Sequence, residues 1–107
     1  NMATAYLKLK NDDGSFREYR KEKIKARWVK EALKHSQEIE RMERKGDIVG
    51  VIDTRLKFTC DFFGDKDLTP EAILDGLEND ELIDTLDGLF DTIVGRKKKD
   101  NNEQGNG

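Results

Sequence analysis

The segment Asp47–Phe63, which reads DIVGVIDTRLKFTCDFF, carries apolar residues around more than half of a predicted helix. At about 100° per residue, one face collects Ile48, Val49, Ile52, Leu56, Thr59, Cys60 and Phe63. Val51, Phe58 and Phe62 widen this face to an apolar arc of roughly 200°. A helix packed on a globular core needs an apolar stripe only somewhat wider than about 100°. We therefore expect one face of this helix to lie in the core, and Val51, Phe58 and Phe62 to face a partner.

The helix before this segment is predicted over residues 25–45. Its apolar side collects Trp28, Val29, Ala32, Leu33, Ser36, Ile39 and Met42 at helical spacing. Gly46 is placed to end this helix, and Asp47 is placed to cap the next one, predicted over 47–63. Two helices joined by so short a connection are expected to form an antiparallel helical hairpin.

Residues 4–24 are predicted to form a β-hairpin. Ala5, Leu7 and Leu9 alternate with more polar residues, which is the period of a half-buried strand. The stretch Asn11–Ser15, NDDGS, has the composition of a tight turn. The second strand alternates less regularly, because Phe16 and Tyr19 fall on opposite faces unless a bulge intervenes.

Two shorter helices are predicted at about 70–77 and 80–94. Thr69-Pro70-Glu71 is a strong helix start, and Asn79 is expected to cap the last helix. The apolar stripe of that helix consists of Leu82, Ile83, Leu86, Leu89, Phe90, Ile93 and Val94. The expected fold class is mainly α (α+β), with an N-terminal β-hairpin followed by a helical hairpin and two further helices.

The length of 107 residues favours a single domain, which we place at residues 2–95. Residues 96–107 contain no apolar side chain and are expected to form a flexible, disordered tail. Asn1, which precedes Met2, is expected to be a remnant of tag removal. No apolar run approaches the roughly 20 residues of a membrane span, so we expect no membrane partner. The single cysteine fits a reducing cytoplasm.

The charged residues are unevenly distributed along the chain. Residues 1–34 carry 10 Lys or Arg and 5 Asp or Glu, whereas residues 47–95 carry 3 and 13. This polarity favours attraction between the two halves, either within one molecule or head to tail between copies. Ordinary solvated charged faces explain the same pattern equally well.

The sequence carries no pattern typical of a catalytic or metal site. His35 is expected to be a solvated residue on the polar side of its helix, because no second His or Cys lies at ligand spacing. Cys60 is expected to behave as a small apolar residue, since no basic neighbour would activate its thiol. The acids Asp61, Asp65 and Asp67 lack the spacing of a calcium-binding loop. We therefore expect no enzymatic activity, no metal and no cofactor.

Nucleic-acid binding is not favoured either. The basic segment Arg17–Lys34 contains Tyr19 and Trp28, and Arg96–Lys99 is a second basic run. A nucleic-acid footprint, however, concentrates basic charge on one face of a basic domain, and this chain is acidic overall. Trp28 is therefore expected in the core and not on a stacking surface.

The order and length of these elements resemble the small tail assembly chaperones of long-tailed phages and prophages of Gram-positive bacteria. The hairpin LKLKNDDGSFREY (Leu7–Tyr19) and the helix start KARWVKEAL (Lys25–Leu33) carry the resemblance. A short linker, an apolar second helix and an acidic, apolar last helix ending at Val94 follow in matching order. The resemblance covers roughly residues 5–95.

This resemblance implies a protein without catalysis that binds the tape measure protein and passes it to the major tail protein while the tail tube assembles. It also implies self-association, a place in the host cytoplasm and absence from the mature virion. Many such proteins have a longer form made by translational frameshifting, and Lys97–Lys99 fits either a slippery sequence or a solubilising tail. The alternatives are a small DNA-binding or antitoxin-like regulator and a structural phage tail or connector protein.

A chaperone for a long helical client needs apolar surface on a highly charged body. The candidate partner-binding residues are Val51, Phe58, Phe62, Leu86, Leu89, Phe90 and Ile93. We accordingly expect Phe62→Asp to weaken association while the fold stays intact.

Overall fold

The computed structural model describes residues 4–96, and these residues form two strands followed by four helices. In chain order they are β1 (Thr4–Lys10), β2 (Phe16–Glu22), α1 (Arg27–Lys45), α2 (Ile48–Phe63), α3 (Pro70–Gly76) and α4 (Leu82–Ile93). The predicted fold class is confirmed, since an N-terminal β-hairpin precedes a helical hairpin and two further helices. Asn1 and, apart from Arg96, the predicted tail over 96–107 lie outside the described residues.

β1 and β2 form an antiparallel sheet joined by a short turn. The strands pair one to one from Thr4↔Glu22 to Lys10↔Phe16, without a bulge inside either strand. In the turn, the Asn11 N–H donates to the Ser15 carbonyl at 2.7 Å, and the Gly14 N–H donates to the Asn11 carbonyl at 3.0 Å. Gly14 has a φ of +90°, which glycine adopts without a steric penalty. Such a left-handed glycine after a β-turn is a common hairpin connection.

The two faces of the hairpin differ in burial. Ala5, Leu7, Leu9 and Tyr19 are buried on the inner face, which packs against α3 and α4. Phe16 lies on the outer face and is 53% exposed. Phe16 and Tyr19 therefore do lie on opposite faces, as strict alternation requires in the absence of a bulge.

α1 and α2 form the predicted helical hairpin, and its turn uses the predicted residues. Gly46 ends α1 with a left-handed φ of +75°. The Asp47 carboxylate accepts a hydrogen bond from the Gly50 N–H at 2.9 Å and so caps α2. The helical hairpin is thus fixed by local hydrogen bonds at its turn.

The start of α3 is as predicted, whereas the start of α4 is not. The Thr69 hydroxyl accepts a hydrogen bond from the Ala72 N–H at 3.1 Å, and Pro70 occupies the first helical position. Asn79 does not cap α4, which begins at Leu82. Instead, the Glu81 carboxylate accepts a hydrogen bond from the Glu78 N–H at 2.7 Å. This local bond holds the preceding residues in a turn and delays the helix.

The core lies where the inner face of the hairpin meets α2, α3 and α4. Its largest fully buried side chains are Phe62, Leu7, Leu9, Leu56 and Ile73. Gly76 lets α3 approach β1 closely, because a Cβ at this position would lie 2.8 Å from the Leu9 Cβ.

Candidate binding surfaces

Most of the predicted partner-binding residues lie in the core. Phe62 is 0% exposed, and Leu86, Leu89 and Ile93 are also buried. The expectation of an uncovered second face on α2 is therefore wrong for Phe62, and the three residues predicted to bind from α4 are buried as well. The physical reason is that α1, α3, α4 and β2 all contact α2 and together cover more of it than one flanking helix would.

Phe58 and Phe90 are half-buried and meet the buried residues at the junction of α1, α2 and α4. The cavity at this junction has a volume of only about 10 Å³ and is lined by His35, Arg55, Phe58, Thr59, Leu86, Leu89, Phe90 and Ile93. Such a space holds at most about one water molecule. Five of the seven predicted residues thus come together, but they form a packed seam between helices. Of the remaining two, Phe62 lies in the core, and Val51 is half-buried on α2.

His35 takes part in this seam and is not the solvated residue that the sequence predicts. Its imidazole ring stacks on Phe58, with the ring centroids 4.3 Å apart. Burial lowers the pKa of His35 to about 4, and the positive charge of Arg55 contributes in the same direction. The neutral ring therefore acts as a flat packing group between α1 and α2.

The outer part of the helical hairpin is a surface that the sequence prediction missed. Between Ala32 and Leu56 no residue is buried. We call residues 36–54 the distal arm, since His35 and Arg55 still contact Phe90 and Asp87 of α4. Contacts between α1 and α2 continue along it, since the Thr54 hydroxyl lies 3.3 Å from the Met42 sulfur. The distal arm is therefore a two-helix projection without a third layer.

The tip of the distal arm is strongly apolar. Ile48 and Val49 occupy the first turn of α2 and are 72% and 70% exposed. Behind them, Met42, Val51 and Ile52 are half-buried, and Ile52 packs against the core. Helical periodicity assigns Ile48 and Val49 to the core face, but this turn lies beyond the part of α2 that the core covers.

A second apolar surface lies where α1 begins and α4 ends. A cleft of about 430 Å³ is lined mainly by Ile24, Ala26, Val29 and Ile93. Lys23 and Lys25 also line it. It is therefore an apolar depression with positive charge beside it.

The aromatic residues of the basic segment are directed inward. Trp28 packs edge-on against Phe62, with the ring centroids 5.1 Å apart, and Tyr19 is buried. Trp28 is thus a core residue, as predicted.

The described residues were also compared with the requirements of a nucleophilic cysteine, a metal site and a membrane-spanning helix. Burial raises the pKa of the half-buried Cys60 thiol, which disfavours the nucleophilic thiolate. Within residues 4–96, no group of three or more His, Cys, Asp or Glu side chains could hold a metal ion. None of the four helices is long and apolar enough to cross a bilayer.

The family model described as phage tail chaperone protein matches residues 2–107. The chain therefore belongs to the phage tail chaperone family, and this membership implies a non-enzymatic role and protein partners in tail assembly. No curated protein and no solved structure matches the chain. The resemblance drawn from the sequence is confirmed at the level of this family, while the long-tailed phages and Gram-positive hosts remain a prediction.

Proposed function

We propose that the chain is a tail assembly chaperone that binds the tape measure protein without catalysis and assists its transfer to the major tail protein. The observation that carries this proposal is the exposed apolar tip of the distal arm, Ile48 and Val49. Family membership supplies the setting, since a tail chaperone acts on protein partners during assembly. We place this activity in the host cytoplasm, before the virion is complete.

A third helix laid along the distal arm would complete its missing layer. Ile48 and Val51 stand at the i and i+3 spacing through which helices recognise apolar partners, and Ile52, at i+4, continues this stripe to the core. Covering such side chains gains roughly 25 cal/mol for each Å² of apolar surface removed from water. A long helical client with apolar stripes therefore fits the arm, and a tape measure protein is a client of that kind.

Co-production with the tape measure protein of the same phage or prophage tests this proposal. We expect the wild-type chain to keep that protein in the soluble fraction, and the double variant Ile48→Ser/Val49→Ser to leave it in the pellet. Ile83→Ser is the matched control, because Ile83 is 48% exposed on α4 and is not part of the distal arm. Circular dichroism of all three chains establishes that each is folded. Equal solubility of the tape measure protein with the wild type and the double variant would contradict the proposal.

We also propose that the chain associates with itself, with the arm tip of one copy seated in the α1–α4 cleft of another. The apolar tip matches the apolar lining of the cleft, and in such a contact Asp47 would face Lys23 and Lys25 while Arg44 and Lys45 would face away from them. This contact joins two different surfaces and therefore generates a ring or an open filament. Sedimentation should show larger species that disappear in Ile48→Ser/Val49→Ser and in Val29→Asp. A wild-type chain that sediments as a monomer at high concentration contradicts self-association and leaves tape measure binding open.

Two alternatives are separated by other measurements. A DNA-binding or antitoxin-like regulator would shift a specific DNA fragment, with an affinity that falls steeply as salt increases. A structural tail or connector protein would be present in purified virions. We expect neither result.

A further inference from the structure

The outer edge of β1, like that of β2, is not paired with another strand within residues 4–96. Bonded and non-bonded pairs alternate along an antiparallel ladder, and the Asn11 N–H donates to the Ser15 carbonyl, which places Asn11 and Ser15 at a bonded position. By this alternation, Leu9, Leu7 and Ala5 direct their backbone groups toward β2. The N–H and C=O groups of Tyr6 and Lys8 therefore point to the opposite edge of β1. Within residues 4–96, no other backbone hydrogen bond reaches them.

A groove of about 640 Å³ lies beside this free edge. One wall is β1, with Tyr6 and Lys8, and the other is a stripe of α4 that includes Asp84, Gly88 and Thr92. Gly88 has no side chain to occupy the groove, and the space beside it is open, since a Cβ built on it meets no atom within 4 Å. An open strand edge facing a helix across a groove is the geometry in which domains bind peptides as an added strand.

The charges on the two walls have opposite signs. Lys8 and Lys10 project from the outer face of β1, whereas Glu78, Glu81 and Asp84 line the other side of the groove. α4 packs on the inner face of the hairpin, because its Leu89 shares the core with Leu7. Successive side chains of an added strand point to opposite faces. One set would therefore meet the lysines, and the alternate set would meet the acidic stripe.

A second copy of β1 is a poor occupant of this edge. Pairing two such strands would place Lys8 and Lys10 beside the lysines of the other copy, and like charges on neighbouring strands destabilise the pair. Lysines on an exposed edge are a common protection against such pairing. The charge pattern instead favours a different strand with acidic residues on its outward side.

We infer that the β1–α4 groove binds an extended segment of a partner protein as a third strand, with acidic side chains alternating with basic or small ones. The backbone N–H and C=O groups of Tyr6 and Lys8 form hydrogen bonds with the segment. The two charged walls favour acidic side chains on one face of the segment and basic or small side chains on the other. Gly88 leaves room for the side chains that point toward α4. This site shares no residue with the distal arm, so an experiment can contradict the proposal for one site without contradicting the proposal for the other.

The probe is a synthetic peptide of about nine residues, the length of a long strand, in which glutamate alternates with lysine or threonine. Hydrogen exchange followed by NMR reports on each amide of the isotope-labelled chain. We expect the peptide to slow exchange of the Tyr6 and Lys8 amides by at least about tenfold. The amides of Leu7 and Leu9, already bonded to β2, should change less. No binding, or protection elsewhere in the chain, would overturn the inference.

Two backbone-methylated versions of the peptide separate strand addition from simple charge attraction. Each carries N-methyl groups on one alternate set of amides, and only one set can face β1. We expect one version to bind like the parent peptide and the other to lose at least about tenfold in affinity. Equal affinities of the two versions would overturn strand addition.

The variant Gly88→Trp fills the groove from the α4 side, and Ile83→Trp, on α4 but outside the lining of the groove, is its matched control. Both are expected to fold, because the space around Gly88 is open and Ile83 is 48% exposed. We expect Gly88→Trp to weaken peptide binding by at least about tenfold and Ile83→Trp to bind like the wild type. Undiminished binding by a folded Gly88→Trp chain would place the peptide outside this groove.

Discussion

The imidazole ring of His35 lies stacked on the phenyl ring of Phe58, with the centroids 4.3 Å apart and the ring planes 11° from parallel. This pair joins α1 to α2 where the distal arm leaves the core, and Phe90 of α4 lies 6.2 Å from the imidazole. Burial lowers the pKa of His35 from 6.5 to about 4; Arg55 adds to this effect, and Glu38 opposes it. The folded chain therefore holds the neutral imidazole where an unfolded chain would bind a proton.

We expect the free energy of unfolding to fall as the pH falls from 6.5 to 4. In this range the unfolded chain binds a proton at His35 that the folded chain does not, so acid favours unfolding. Each pKa unit corresponds to about 1.4 kcal/mol. Because His35 is only half-buried, solvent screening reduces its total contribution to about 1–2 kcal/mol.

Chemical denaturation of the wild type and of His35→Phe across this pH range measures the effect. His35→Phe keeps a flat ring on Phe58 but cannot titrate, so it should lose less stability than the wild type on acidification. The two chains differ only at residue 35, so the difference between their curves reports the contribution of His35. Parallel stability curves for the two chains would show that His35 does not titrate as described.

Phe62→Ala is expected to destabilise the fold by about 3–5 kcal/mol, since it removes a fully buried ring from the core. This expectation replaces the one drawn from the sequence, in which a change at Phe62 affects association alone. Val49→Ala is the control on the same helix, and its 70% exposure predicts a change within about 0.5 kcal/mol. Urea denaturation of both variants tests the assignment. A Phe62→Ala chain as stable as the wild type would place this ring outside the core.

The elements of the fold could be predicted because their signals are local. Gly46 ends α1 and Asp47 starts α2 through hydrogen bonds within a few residues. Thr69 starts α3 through a hydrogen bond of the same kind. The binding surface depends on long-range packing. Periodicity places Phe62 and Val49 on faces of α2, but it does not tell how far along the helix the other elements reach. The buried residues of α2 begin at Leu56, and Ile52 packs against the core one turn earlier, so the first turn of α2 at the tip stays exposed.

Lys21→Met is expected to destabilise the fold by about 1–3 kcal/mol. The Lys21 ammonium donates a hydrogen bond to the Phe62 carbonyl at 2.7 Å, at the end of α2, where the last carbonyls of a helix lack partners. It also lies 4.7 Å from the Trp28 ring centroid and 4.6 Å from that of Phe62. Burial lowers the pKa of this ammonium, which reflects its removal from water.

The matched control for Lys21 is Lys30→Met, on the exposed face of α1. It removes the same charge without removing a helix-end hydrogen bond, so it should change stability by less than about 0.5 kcal/mol. Thermal denaturation of the two variants under one buffer condition gives the comparison. Equal losses would mean that net charge, and not the contact with α2, determines the effect.

Two glycines in helices should respond in opposite directions to the same substitution. Gly76→Ala is expected to destabilise the fold by about 1–3 kcal/mol, because its Cβ would lie 2.8 Å from the Leu9 Cβ and force α3 away from β1. Gly88→Ala is expected to stabilise it by about 0.5–1 kcal/mol, since alanine favours the helix interior and the added Cβ meets no atom within 4 Å. Urea denaturation of the two single variants tests both signs together. A Gly76→Ala chain at least as stable as the wild type would show that α3 and β1 can separate without loss of core packing.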